Sequence, residues 1–217
     1  MLGIGTCILC GGKNFDVCAP CRAELPWIDI CCEQCGVPLP HVGLCGQCAK
    51  NPPAFVRCIS PLRYEAPISH LIGALKYRHD FNAGRVLSAL LAERLRREDT
   101  LGADCLVPVP LHWRRRWSRG FNQAELIADE LGRILRLAPE ARALRRIRAA
   151  APQQKLDADT RRKNLRAAFA CDGRLRGRHI ALIDDVVTTA ATAAEIARTL
   201  LGAGAASVQV WCLARTP

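Results

Sequence analysis

The chain has 217 residues, half of them hydrophobic, which is enough for one domain of ordinary size plus a small appendage and sets the expectation of a globular protein. No apolar run is long enough to span a bilayer, and residues 1–7 lack the charged start and long apolar stretch of a secretory signal, so a cytoplasmic protein without membrane insertion is expected. The formal charge of +11 is concentrated: residues 111–180 hold 18 Arg and Lys against 7 Asp and Glu, while the remainder holds 13 of each. A field of that sign either draws in a polyphosphate or a nucleic-acid backbone or is simply a solvated basic surface.

Residues 1–53 form a cysteine module. Eight of the thirteen cysteines fall into four Cys-x-x-Cys pairs: Cys7 with Cys10, Cys18 with Cys21, Cys32 with Cys35, and Cys45 with Cys48. Without an export signal such pairs favour metal over disulfides. Gly11 and Gly36 follow two of them and let the backbone fold over the sulfurs. Two pairs complete a tetrahedral thiolate set suited to zinc, and a segment this short takes its folding energy from the metal. The first two pairs are expected to share one ion and the last two another; a crossed pairing and an iron–sulfur cluster are the alternatives. Cys31 neighbours Cys32 and could substitute in the fourth pair, whereas Cys58, Cys105, Cys171 and Cys212 read as buried small hydrophobes. Asn51, Pro52 and Pro53 mark a boundary, which makes residues 54–217 the second domain.

In that second domain Phe55 to Tyr64 reads as a strand. Pro67 opens a helix with Ile68, Leu71, Ile72 and Leu75 on one face, ended by Lys76 and Tyr77, and a second helix follows over about 84–97. Cys105 to Val109 is a core strand stopped by Pro108 and Pro110. The loop after it interleaves Arg114, Arg115, Arg116 and Arg119 with Trp113 and Trp117 and leads into a helix from Asn122 to Leu135. Guanidinium groups there offer forked donors to phosphate and indoles a face for a base; the alternative is that the tryptophans pack on the surface. Residues 142–166 are basic and aperiodic and read as a mobile flap.

The stretch from His179 to Thr192 is the centre of the chain. Ile180 to Ile183 has strand character; Asp184 and Asp185 stand where the strand is expected to end; Thr188, Thr189, Ala190, Ala191 and Thr192 lead into a helix that carries Ala193, Ile196, Ala197, Leu200 and Leu201 on one face. Free N–H groups at a helix start, with threonine hydroxyls and small side chains around them, suit a phosphate. Two carboxylates beside that place accept the hydrogen bonds of sugar hydroxyls. Gly202 and Gly204 end the helix, and Ser207 to Leu213 is a last strand.

Hydrophobics, Asp-Asp, two hydrophobics and Thr-Thr-x-x-Thr resemble the phosphoribosyl pyrophosphate signature of type I phosphoribosyltransferases. The paired cysteines, Leu75 to Tyr77, Val107 to Leu111, Arg119 to Gln123, Gln154 with Leu156, Arg161 to Leu165 and Val208 to Arg215 narrow the resemblance to the ComF family, in order and spacing to its GntX-like branch. The resemblance implies an α/β fold, a type I phosphoribosyltransferase-like parallel sheet flanked by helices, behind a small double zinc-ribbon domain. It implies binding of phosphoribosyl pyrophosphate with Mg²⁺: residues 188–192 on the 5'-phosphate, Asp184 and Asp185 on the ribose, Arg119 on the pyrophosphate with Lys76 and Lys155 beside it, and the basic flap as a cover. Lys76 is equally a favourable helix C-terminal cation. No glutaminase function is implied, because Cys7 belongs to a metal pair. A role in competence or DNA utilisation follows, with partners among DNA-processing proteins. The second reading is a single-stranded nucleic-acid binder that uses Arg114, Arg115, Arg116, Trp117 and Arg119. Ala190 departs from the family's usual glycine and resists the positive φ that a glycine there would supply.

Overall fold

The computed structural model describes residues 5–13, 16–98, 102–111, 119–147 and 168–217. The cysteine segment holds two short helices, α1 (Ala19–Ala23) and α2 (Gly46–Lys50). Beyond it run β1 (Cys58–Ile59), β2 (Leu62–Arg63), α3 (Ile68–Arg78), α4 (Phe81–Arg97), β3 (Cys105–Pro108), α5 (Gln123–Leu135), β4 (Ala138–Pro139), β5 (Leu144–Arg146), β6 (Phe169–Cys171), β7 (His179–Val187), α6 (Ala191–Gly202) and β8 (Ser207–Arg215).

The main sheet is parallel in the order β1–β8–β7–β3–β4, with β2 also on β8. Helices cover both faces, and the central strands are accordingly almost wholly apolar. Along β7, Ala181 and Ile183 join the face packed by α3, α4 and α5, with Ile72, Leu87, Leu91, Ile127 and Leu131. Ile180 and Leu182 join the opposite face, with Ile196, Ala197 and Leu200 of α6. Full burial of such side chains stabilises by roughly 1.5–3 kcal/mol each. Cys32, Cys35 and Cys48 belong to that second face too, packed near Cys58 of β1 and Cys212 of β8, so half of the cysteine module is part of the core.

Several expectations need correction. The strand over 55–64 is two fragments with a gap at Ser60 and Pro61, where proline offers no N–H; the register on β8 is the same before the gap (Cys58 opposite Val210) and after it (Leu62 opposite Ala214). Helix α4 starts a turn earlier than expected, capped by Asp80, whose carboxylate accepts from the Ala83 N–H at 3.1 Å. Part of the flap is ordered structure: Leu144–Arg146 pairs antiparallel with Phe169–Cys171. Residues 148–166, with Gln154, Lys155 and residues 161–165, lie outside the described residues. Strand β7 does not stop before the acids. It continues through Asp184 and Asp185 to Val187, because its ladder with β8 extends to Val187 opposite Arg215.

Among the described residues no helix is long and apolar enough to cross a membrane.

Candidate ligand site and zinc centres

The cysteines form two clusters, Cys7, Cys10, Cys18 and Cys21, and Cys32, Cys35, Cys45 and Cys48, each with its sulfurs within 4.8 Å of one another. A tetrahedral Zn–S distance of about 2.3 Å implies sulfur separations near 3.8 Å. Cys10 and Cys18 stand 3.6 Å apart and Cys35 and Cys45 3.7 Å, so both sets fit zinc, paired in sequence rather than crossed. Backbone N–H groups already serve the sulfurs: Cys18 donates to Cys7 Sγ at 3.4 Å and Cys45 to Cys32 Sγ at 3.3 Å. Burial pushes both accepting thiols up, but such N–H donors outweigh it and bring Cys7 down to about 6 and Cys32 to about 7, toward the thiolate a metal needs. Cys31 stays outside the second cluster, its backbone bridged to Pro38. Cys58, Cys105 and Cys212 are buried as expected, and Cys171 is half-buried.

The Asp-Asp and threonine segment lies at the C-terminal end of β7, where ligands of open parallel sheets bind. Ala190 adopts φ 59°, the left-handed conformation that glycine supplies freely, and no side chain caps the start of α6. The chain thus makes the glycine-type turn with alanine, at a cost of roughly 1–2 kcal/mol. Asp184 and residues 186–193 line a cup of about 50 Å³ at that helix start, with Thr188 and Thr189 exposed. The first N–H groups of α6 and its positive dipole end face this cup region.

Next to the cup, the Asp184 carboxylate accepts from the Asp185 N–H at 2.9 Å, and the Asp185 carboxylate accepts from the Val186 N–H at 2.7 Å. Lys76, from the end of α3, reaches Asp185 Oδ2 at 2.7 Å. Among the described residues Asp184 has no such cation of its own. Removal from water, and then the charge of Asp185, push it up to about 8 despite the opposing Lys76.

Arg119 stands one step away. Its guanidinium lies 5.0 Å over the Tyr77 ring, donating to the Tyr77 hydroxyl at 3.3 Å and to Gln123 Oε1 at 3.1 Å. The structure therefore brings Asp184, Asp185, Lys76 and residues 188–192 together and puts Arg119 beside Lys76's neighbour, in contact with neither acid. Arg114, Arg115, Arg116 and Trp117 lie outside the described residues. Sequence reasoning missed two buried polar residues. Gln123 is 2% exposed, and its Nε2 has no hydrogen-bond partner among the described residues. Arg215, 4% exposed, joins the cysteine module to the threonine loop. Both sit inside motifs that the sequence singled out, but neither motif says what its polar residue touches.

A double zinc ribbon domain model matches residues 5–49. The DNA utilization protein YhgH of Escherichia coli (strain K12) is 41% identical over 221 residues, covering 98% of this chain and 97% of its own. Competence protein F of Haemophilus influenzae is 33% identical over 222 residues, covering 96% of each. Among solved structures, the allosteric regulatory enzyme of purine biosynthesis aligns with 61% of this chain at 19% identity and a TM-score of 0.42; this chain spans about a quarter of it (26%). A purine phosphoribosyltransferase from Pyrococcus horikoshii aligns with 60% of this chain at 17% identity and a TM-score of 0.38. With near-complete coverage by YhgH and Competence protein F, this protein belongs to the ComF family, on the branch that carries YhgH.

Proposed function

We propose that the protein binds phosphoribosyl pyrophosphate with Mg²⁺ at the end of β7 and serves DNA utilisation or competence, the roles in the names of its relatives. One observation carries the reading. A left-handed turn at Ala190, just beyond the strand that carries two carboxylates, opens an uncapped helix start, and a lysine from another element reaches the second of them. That set offers an anion cradle, two acceptors for vicinal hydroxyls and a cation for a diphosphate.

In this reading residues 188–192 hold the 5'-phosphate through backbone N–H groups and threonine hydroxyls. Asp184 and Asp185 accept from the 2'- and 3'-hydroxyls and stand close to the positive charge that grows on the ribose as the C1–oxygen bond to pyrophosphate breaks. Lys76 and Arg119 offset the charge of the departing pyrophosphate. Asp184 and Asp185 are the carboxylates that would hold Mg²⁺, which would supply charge neutralisation at the diphosphate. A nucleophile that attacks C1 would complete a phosphoribosyl transfer.

The test is calorimetric titration of the zinc-loaded chain with phosphoribosyl pyrophosphate and Mg²⁺. Binding that falls at least about tenfold in Asp185→Asn, a loss of about 1.4 kcal/mol, supports the assignment. Equal affinity in that variant would remove the ribose role from Asp185.

The second reading, a single-stranded DNA binder on the same scaffold, is favoured by the basic excess over 111–180, by exposed Tyr77 beneath Arg119 and by exposed Phe81 against Phe121. An oligonucleotide titrated over a range of salt tests it; affinity that falls steeply with salt and survives Asp185→Asn belongs to this second activity.

A further inference from the structure

Arg215, the last residue of β8, is a buried, positively charged guanidinium. Its partners among the described residues are neutral oxygens and one sulfur. Nε donates to the Cys35 carbonyl at 3.0 Å; Nη1 donates to the carbonyls of Val187 at 3.2 Å, of Thr216 at 2.8 Å and of Thr188; Nη2 lies 3.9 Å from Cys35 Sγ. No carboxylate is among them. A buried charge with carbonyls alone is costly, and it is held where an opposite charge stands nearby.

The second cysteine cluster meets that need. Four thiolates around Zn²⁺ leave a net charge of about −2, and Cys35 is one of the four. The same guanidinium grips Val187 and Thr188, where β7 passes into the threonine loop. A trans, planar peptide turns each N–H opposite to the carbonyl it shares a plane with. Fixing the Thr188 carbonyl on Arg215 therefore fixes the Thr189 N–H on the far side.

We propose that Arg215 is a positioning residue that couples the metal-loaded second cluster to the Thr188–Thr192 loop, so that the loop keeps its ligand-ready shape only while that cluster is charged and in place. The consequence for binding rests on the reading of this loop as the phosphate site. The coupling itself does not. The role also gives a physical reason for an arginine at the end of the Val208 to Arg215 motif, which the ligand site alone leaves unexplained.

The experiment compares the wild-type full chain with Arg215→Met and Arg215→Lys, the lysine variant keeping the charge but losing the fork that spans Cys35 and Thr188. Metal content, hydrogen exchange of residues 187–193, and the cadmium-113 spectrum of cadmium-loaded protein are measured, with titration of phosphoribosyl pyrophosphate and Mg²⁺. Expected are two metals per chain throughout, loop exchange faster by at least about tenfold, movement of one cadmium resonance with the other unmoved, and weaker ligand binding. If the methionine variant does not fold, the lysine variant decides the matter on the same readouts. Loop exchange and both cadmium resonances unchanged in the lysine variant would overturn the coupling, and tight ligand binding in that case would leave the phosphate-site reading standing. Faster loop exchange with no ligand binding by the wild type would support the coupling and remove that reading instead.

Discussion

Lys76 Nζ lies 2.7 Å from Asp185 Oδ2, with side-chain exposures of 17% and 14%, so the ligand-free site already holds one cation against one carboxylate. In a pair this enclosed, loss of one partner leaves the other uncompensated. Lys76→Met should therefore destabilise the free protein by on the order of 1–3 kcal/mol, discounted for residual solvent. Adding Asp185→Asn to it should recover most of that loss. If Asp185→Asn costs the same stability in the Lys76→Met background as in the wild type, by denaturant melts, the pair carries no energetic coupling.

Burial, and then the charge of Asp185, push Asp184 up to about 8, which favours its protonated form in the free protein at neutral pH. The folded state therefore binds a proton that the unfolded chain has lost, and this contribution to stability falls as pH rises from about 4 to about 8. Asp184→Asn should flatten that slope, and its gain over the wild type should be larger at pH 8 than at pH 5. If Asp184 accepts from a ribose hydroxyl as a carboxylate, ligand binding below pH 8 releases its proton. Titrations in buffers of different ionisation enthalpy should then show up to one proton released at pH 7, and none in Asp184→Asn.

Ala190 holds φ 59° without the freedom of glycine. Relief of that strain outweighs the extra flexibility that glycine gives the unfolded chain, so Ala190→Gly should stabilise by about 0.5–1 kcal/mol. Ala190→Val should lose stability and ligand affinity together. Thermal melts of the two variants check the sign.

Gly36 and Gly11 stand at equivalent places in the two zinc ribbons, both at positive φ, but in different surroundings. A Cβ on Gly36 would lie 2.7 Å from the Cys58 carbonyl oxygen, whereas one on Gly11 would meet nothing within 4 Å. Gly11→Ala should cost only the backbone strain of about 1–2 kcal/mol. Gly36→Ala should cost more, because β1 must move, and the excess should appear as faster exchange in β1. Equal losses in the two variants would show that the second ribbon is not pressed against the sheet.

The cysteine clusters were legible because metal geometry constrains spacing directly: a Cys-x-x-Cys turn brings two sulfurs to one ion wherever it occurs. The strand, loop and helix around Asp184 were legible for a similar reason, since apolar runs, acids and small hydroxyl residues mark local steps. The extension of β7 through both acids was not, because β8 pairs with that segment and local polarity argues against it. Short β4 and β5 escaped notice because each owes its existence to a partner remote in sequence, β3 and β6. Arg215 was hidden most completely. A lone arginine after five apolar or small residues carries no sign that its contacts lie 27 and 180 positions away.

Strand β8 lies between β1 and β7, yet it is synthesised after both. A ribosome therefore releases both cysteine clusters, β1 and the two helices after it long before the strand they dock on exists. Until residues 207–215 emerge, the apolar face of α3 and α4 and the open edge of β1 have no lasting cover, which exposes the nascent chain to mispairing and to chaperones. Long-range parallel pairing also makes the final step slow. The metals offset part of this hazard: each closes its own four-cysteine turn pair while the chain waits for its middle strand, although the second ribbon gains its core contacts only when β8 arrives.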